Sequence, residues 1–238
     1  MINQDYSLDG YNNLIQQLYN LSDTTYREFH SKLIPGITST FIGVRTPILR
    51  KIAKKILKSD YKSFLTYSYS SDIYEITMLS GMVIALSPMS FEEKLSSLDK
   101  FIPNINNWAI CDIVIGDLKC IHNNLDTMFN YIQKYLNSSK EYELRFAIVV
   151  LLQYYINDNY INNVLTIYDN IHHEGYYVKM AIAWGISICY IKYPIHTLKY
   201  IKNNNLDKFT HNKAIQKIKE STRVSQKDKQ LLNNYKRN

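Results

Sequence analysis

Residues 46–58 read TPILRKIAKKILK, and this stretch shows the pattern that decides the fold. Its apolar residues recur at spacings of three and four while its basic residues take the other positions, which predicts an amphipathic helix with one buried face. Thr46 stands before Pro47, and an N-cap residue followed by proline at the first helical position is typical of a helix start. The apolar positions are Ile48, Leu49, Ile52, Ile56 and Leu57.

The same periodicity dominates the rest of the chain. Ser90 with Glu93 and, more weakly, Ser225 with Asp228 have the spacing of a capping box at a helix start. Only 7 Gly and 5 Pro are present, which disfavours sandwiches and barrels with many turns. No clear alternation predicts a strand. Further helices are predicted over residues 10–21, 23–33, 72–87, 105–120, 125–136, 140–155, 158–171, 175–191, 195–202 and 211–221.

The pattern therefore predicts an all-α protein. About a dozen helices with short polar connections favour antiparallel pairs, and stacked pairs form an α-solenoid with one concave face. The best irregular segment is 34–47, IPGITSTFIGVRTP, which contains Gly36 and Gly43. No later stretch resembles an interdomain linker, so residues 1–238 are predicted to form a single domain.

The composition is that of a globular protein. The 238 residues are 46% hydrophobic and 21% charged, which excludes a disordered chain. The three widely spaced cysteines are interpreted as small buried residues in a reducing compartment. The polar N-terminus shows no secretory signal, and the longest apolar run, residues 180–191, is too short to cross a membrane. We expect a cytoplasmic protein, and no histidine, cysteine or glycine motif indicates a metal or a cofactor.

The net charge of +7 is concentrated in two segments. Residues 45–62 carry a net charge of +6 and residues 199–238 carry +8, whereas the remaining chain is mildly acidic. Two separated basic blocks are what the two walls of a groove for a polyanion require. Two solvated helix faces explain the charge equally well.

Trp108 and Asp112 are four residues apart in an otherwise apolar stretch, so a helix places them on the same face. A carboxylate in such a stretch is costly to bury unless it is paired or used. A capping or salt-bridged acid near a helix start is the alternative explanation for Asp112.

Arg145 and Trp184 are the other two conspicuous residues. Arg145 is the one arginine between Arg50 and Arg223, and its planar guanidinium suits a phosphate or a carboxylate. A structural pair with Asp112, Glu141 or Glu143 is equally compatible with the sequence. Trp184 lies in an apolar stretch and, on that pattern alone, is a core residue.

Five stretches together resemble the AlkD-type DNA alkylation repair family, whose members are built from HEAT-like helical repeats. They span residues 41–225 in the order and spacing of that family. The stretches are FIGVRTPILRKIAKKI (41–56), NNWAICDIV (106–114), EYELRFAIVVLLQYY (141–155), YYVKMAIAWGISICY (176–190) and FTHNKAIQKIKESTRVS (209–225).

The resemblance implies a DNA glycosylase that removes cationic N3- and N7-alkylpurines from double-stranded DNA, without a base-flipping pocket, a metal or a cofactor. It places Trp108, Asp112 and Trp184 in an aromatic–carboxylate cleft on a concave basic face. It further implies a bacterial, monomeric protein that associates with the nucleoid when bound to DNA. The resemblance places Arg145 at the position of a backbone-contacting arginine. The two basic blocks supply the other expected DNA-contacting residues, which are Arg45, Arg50, Lys51, Lys54, Lys55, Lys213, Lys217 and Arg223.

One position departs from the family. Glycosylase-active members tend to carry a second arginine about one turn after the later tryptophan, where this chain has Ser187 and Ile188. Other branches of the family bind branched or distorted DNA without base excision, which is the alternative function. A protein-binding helical scaffold is a third class, and it predicts no salt-dependent affinity for DNA.

Overall fold

The computed structural model describes residues 7–238, which form two compact units, the first ending at Asn124 and the second running from Leu125 to Asn238. The polar start considered for a signal, residues 1–6, lies outside the described residues. The first unit contains α1 (Leu8–Asn20), α2 (Thr24–Leu33), α3 (Thr46–Ile56), α4 (Tyr61–Ser68), α5 (Tyr74–Leu86), α6 (Phe91–Phe101) and α7 (Trp108–Asp117). The second contains α8 (Leu125–Leu136), α9 (Glu141–Tyr154), α10 (Ile161–Asn170), α11 (Tyr176–Lys192), α12 (Pro194–Lys202), α13 (Lys208–Glu220) and α14 (Gln226–Asn233).

The all-α prediction is confirmed. Two short 3-10 helices, Ile102–Asn104 and Lys119–Asn123, complete the helical elements of residues 7–238. The only extended pairing in this part of the chain is an isolated bridge between Thr40 and Ile73. The chain is thus a succession of helices with short links, as stacked helix pairs require. The concave basic face and the single domain over residues 1–238 stay predictions.

The first unit is organised around α5. This helix is apolar on all sides and buried along almost its whole length, which is the property of a helix surrounded by others. It packs against α3, α4, α6 and α7. Its C-terminus is capped by the buried Lys94, whose Nζ donates to the carbonyl oxygens of Ile84 (2.8 Å), Ala85 (3.0 Å) and Ser87 (2.6 Å). An ammonium satisfies the last carbonyls of a helix and complements its dipole.

The second unit is organised around α9 and α11, which pack against each other and are also apolar on nearly all sides. Helix α11 packs in addition against α13. A hydrophobic cluster joins the C-terminal end of α11 to α12, α13 and α14. Its buried members are Tyr190, Ile201, Ile215, Ile218, Val224 and Leu232.

Helix boundaries follow the capping signals in most places. Ser90 and Glu93 form the predicted capping box of α6, and Ser225 accepts from the amide of Asp228 at the start of α14. The prediction of Thr46 as an N-cap was wrong, because α3 begins at Thr46 itself and Arg45 is its cap residue, without a side-chain cap bond. Helix α4 was not predicted. Its sequence, YKSFLTYS, is poor in helix formers, and the burial of Phe64 and Leu65 stabilises it instead.

Segment 34–45 is irregular, two residues shorter than the predicted 34–47 because α3 begins at Thr46, and Glu75 of α5 holds it in place. The buried Glu75 carboxylate accepts hydrogen bonds from the backbone amides of Ile42 (3.0 Å), Gly43 (2.7 Å) and Val44 (3.1 Å). Burial raises the pKa of this carboxyl above its ordinary value, and the three amide donors oppose that shift. Gly43 has a φ of 99°, which favours glycine. The segment is therefore a fixed part of the first unit.

The three cysteines are thiols rather than disulfides, and Cys111 and Cys189 are buried. Burial raises the pKa of the Cys189 thiol to about 12, so it stays protonated near neutral pH. Cys111 and Cys189 therefore agree with the interpretation as small core residues, whereas Cys120 is only half-buried. No helix in residues 7–238 is long and apolar enough to cross a membrane.

Candidate functional site

The start of α7 is fixed by polar contacts that orient Trp108. Asn107 is the N-cap residue, and its side chain accepts from the amide of Ile110 at 3.0 Å. The neighbouring Asn106 side chain donates to the hydroxyl of Ser39 in the irregular segment. The indole Nε1 of Trp108 donates to the carbonyl of Leu33, at the end of α2, at 2.8 Å. The half-exposed indole ring is thus held by its polar edge.

Asp112 lies one turn after Trp108 on α7 and is partly exposed. Its neighbours on the helix are core residues, since Cys111 and Val114 are fully buried. The cap of α7 is provided by Asn107, so Asp112 is not a capping acid. The i, i+4 spacing therefore places a carboxylate and an indole on the same side of a well-anchored helix, as the sequence predicted.

The other end of α7 is tied to the basic helix α3. Arg50 donates to both carboxylate oxygens of Asp117, at 2.6 and 2.5 Å, and this carboxylate is largely shielded from solvent. Between the two ends, α7 packs closely on α5 at Gly81, where an added Cβ would lie 2.3 Å from Val114. Because both ends and the middle are held, α7 keeps Trp108 and Asp112 in one geometry.

The basic residues in and next to α3 divide into ion-paired and unpaired ones. Arg45 pairs with Asp23 at 2.8 Å and lies 5.1 Å from the ring centre of Tyr26, while Arg50 pairs with Asp117 as described. Within residues 7–238, four exposed lysines of this block form no ion pair, and they are Lys51, Lys54, Lys55 and Lys58. Their ammonium groups form one exposed positive surface of the first unit.

Arg145 of α9 is a buried residue, with 5% exposure. Its Nη1 donates to the carbonyl of Tyr177 at 2.7 Å, and Glu141 accepts from the amide of the same residue at 2.6 Å. The two side chains thus hold the first turn of α11 from both sides. Glu143, a partner considered for Arg145, instead interacts with Lys140 and Ser138. Arg145 is thus buried where α9 packs on α11, and its contact with the DNA backbone stays a prediction.

Trp184 of α11 is half-exposed and lines a surface depression of about 380 Å³. Two residues predicted to contact DNA, Lys217 of α13 and Arg223 of the α13–α14 turn, line the same depression. Ser187 also lines it, and its buried hydroxyl donates to the carbonyl of Trp184 at 2.7 Å. The sequence pattern alone predicts Trp184 as a core residue, whereas in the structure it is half-exposed.

Lys213 of α13 lies one turn before Lys217 and is half-buried. Its Nζ donates to Gln216 at 2.8 Å and lies 5.8 Å from the ring centre of Phe209. The candidate residues of the second unit therefore fall into three groups. Trp184, Lys217 and Arg223 share one depression, Lys213 lies one turn away on α13, and Arg145 belongs to the packing of α9 on α11. Trp108, Asp112 and the lysines of α3 belong to the first unit.

Sequence reasoning missed Glu75, which fixes the segment preceding α3. The available signal was a carboxylate within the apolar run EITMLSGMV, the same kind of signal that singled out Asp112. No group of three or more His, Cys, Asp or Glu residues in the part of the chain that the structure describes is placed to hold a metal ion.

Residues 7–238 thus belong to the class of all-α proteins, with exposed lysines on α3 and with Trp108 and Asp112 one turn apart on α7. The family model described as DNA alkylation repair enzyme matches residues 14–218. The chain therefore belongs to the DNA alkylation repair family. No curated protein matches the chain significantly.

Proposed function

We propose that this chain is a DNA glycosylase that hydrolyses the N-glycosidic bond of cationic N3- and N7-alkylpurines in duplex DNA. Membership of the DNA alkylation repair family supports a role in DNA repair. The observation that carries the finer assignment is the partly exposed Asp112, one turn from Trp108 on a helix fixed at both ends.

The proposed chemistry requires little acid catalysis, because an alkylated purine cation is already a good leaving group. As the bond breaks, positive charge grows on the deoxyribose, as in other glycosidic cleavages. The Asp112 carboxylate stabilises that charge and orients the attacking water. The indole rings of Trp108 and Trp184 attract the cationic nucleotide, which contributes about 1 kcal/mol each at half-exposed positions. The exposed lysines of α3 hold phosphates without reading the base sequence.

The test is the release of 7-methylguanine from methylated duplex DNA by the wild type and by Asp112→Asn. The amide keeps the shape and removes the charge, so we expect excision to slow by about 10²–10³-fold. DNA affinity should hold or rise, because a carboxylate near phosphates repels them. The matched control is Asp9→Asn, an exposed aspartate at the start of α1. A folded Asp112→Asn protein that excises at the wild-type rate overturns the catalytic assignment.

Trp108→Ala and Trp184→Ala give a second measure of the same proposal. We expect each to slow excision by about tenfold, since each ring supplies only part of the attraction for the cation. Thermal unfolding must be measured in parallel, because truncating a packed tryptophan costs about 3–5 kcal/mol of stability.

A non-catalytic binder of branched or distorted DNA is the second candidate. The observation that favours it is the short Ser187, which brings no cation to the surface beside Trp184. This candidate predicts tighter binding to forks or junctions than to plain duplex, with no base released by the wild type. It is contradicted by release of 7-methylguanine that depends on Asp112.

A further inference from the structure

The depression beside Trp184 combines two kinds of surface. Helix α11 contributes the indole ring together with the partly exposed side chains of Ile188 and Ile191. Helix α13 and the turn after it contribute charged groups, Lys217, Glu220 and Arg223. An aromatic and aliphatic surface next to cations matches a nucleotide, in which the flat π face of the base lies near an anionic phosphate.

Arg223 lies on a turn that is fixed in place. Its backbone amide donates to the hydroxyl of Ser221 at 3.2 Å, and the next residue, Val224, is part of the hydrophobic cluster of the second unit. Its side chain is exposed, and neither Arg223 nor Lys217 forms an ion pair within residues 7–238. A cation on an anchored turn loses less freedom on binding than one on a mobile tail.

The net charge of the side chains that line the depression matches the charge of one phosphodiester. Lys217 and Arg223 supply two positive charges, and Glu220 supplies one negative charge, leaving a net charge of +1. Glu220 accepts from the side chain of Gln216 at 2.8 Å, so its carboxylate is held by its own helix. A phosphodiester carries a single negative charge, and a guanidinium binds it through paired N–H donors.

We propose that Arg223 and Lys217 bind one phosphodiester of the strand whose nucleoside packs against Trp184, and that they position this strand for excision. The inference rests on the proposed function and adds a positioning role for two residues outside α11. Ser187 brings no cation to the depression, and the cations come instead from α13 and the turn that follows it.

The first experiment measures binding and needs no excision. Duplexes carrying one neutral methylphosphonate at successive positions around 7-methylguanine are titrated with the wild type and with Arg223→Gln. At one position we expect the wild type to lose about tenfold in affinity on methylphosphonate substitution, while Arg223→Gln shows no further loss there. The proposal is overturned if the affinity losses from methylphosphonate substitution and from Arg223→Gln add independently at every position, whether or not the wild type releases base.

The second experiment separates positioning from affinity by single-turnover excision at saturating protein. We expect Arg223→Gln to slow excision by about tenfold and Arg223→Lys to recover most of the rate, because the charge is retained. Glu220→Gln should bind DNA more tightly, since it removes a repulsive charge. Lys192→Gln, an exposed lysine of the same unit outside the basic segments, is the control. If Arg223→Gln and Lys192→Gln change the excision rate equally, the proposal is overturned. If the wild type excises no base at all, the proposed function is overturned instead.

Discussion

Glu75 shows how much of the site depends on one buried side chain. Its carboxylate has no cationic partner among the contacts described for it and is satisfied by three backbone amides of the segment that leads into α3. The position of the lysine-bearing helix therefore depends on a carboxylate of α5. The ion pair between Arg50 and Asp117 links α3 to α7. Side-chain contacts therefore connect α5 and α3 to the helix that carries Trp108 and Asp112.

Glu75→Gln tests this arrangement. An amide keeps one acceptor oxygen and turns an NH₂ group toward an amide donor, so at least one buried hydrogen bond is lost. We expect the free energy of unfolding to fall by about 1–3 kcal/mol in urea titrations. Glu92→Gln, at an exposed position in the first turn of α6, is the control and should leave it unchanged. Equal stability of the two variants contradicts the role given to Glu75.

At the scale of elements, α5 depends on a cap that comes from another helix. Lys94 belongs to α6, and its ammonium donates to three carbonyls and to the Ser87 hydroxyl at the end of α5. Burial lowers the pKa of this ammonium from its ordinary value. Helix α5 contacts four other helices, so the loss of this cap affects the whole first unit.

Lys94→Met retains the length of the side chain and removes every donor. The carbonyls of Ile84, Ala85 and Ser87 then lose their shared partner, and we expect the free energy of unfolding to fall by about 2–3 kcal/mol. Lys100→Met, an exposed lysine of the same helix, is the control. Denaturant unfolding followed by circular dichroism measures both variants, and a change smaller than that of the control contradicts the capping role.

Sequence patterns predicted the elements well where the signal was local. The capping box at Ser90 needs only a spacing of three residues, and the helical face of α3 needs only its own periodicity. Helix α4 was missed because its stability comes from buried Phe64 and Leu65 rather than from helix propensity. Local rules cannot report burial that other elements provide.

The placement of the candidate residues on helices was predictable, whereas their long-range contacts were not. The spacing of Trp108 and Asp112 placed both on one helix face, but the bond from Arg50 to Asp117 spans 67 residues of sequence. The sequence left Arg145 open to a phosphate or to a structural carboxylate, and only the packing of α9 on α11 shows that its side chain is buried. Such long-range pairings depend on tertiary packing, which a single sequence does not specify residue by residue.

At the scale of the whole molecule, charge predicts how DNA affinity depends on salt. If about five phosphates are neutralised, affinity for duplex DNA should fall by about 10²–10³-fold between 50 and 200 mM salt. Fluorescence anisotropy with duplexes of unrelated sequence measures this and should show little sequence preference. A flat salt response removes the nucleic-acid interpretation altogether.

Charge reversal tests which lysines matter. Glutamate at Lys51, Lys54 and Lys55 should weaken DNA binding and reduce its salt dependence, because these exposed ammonium groups have no competing ion pair within residues 7–238. The matched control is glutamate at three exposed lysines outside the basic segments, Lys100, Lys119 and Lys134. Lys94 is unsuitable for that set, since it is buried. Equal losses in both triple variants mean that only bulk charge matters.

The three hydrogen bonds from residues 42–44 to Glu75 also affect how fast the amide protons of this segment exchange with solvent. Loop amides usually exchange their protons quickly, because small local fluctuations expose them to water. The amides of Ile42, Gly43 and Val44 donate to a buried carboxylate on α5, and they are released only when that part of the first unit opens. These three protons should therefore be retained in deuterated buffer about as long as those of the buried helix itself.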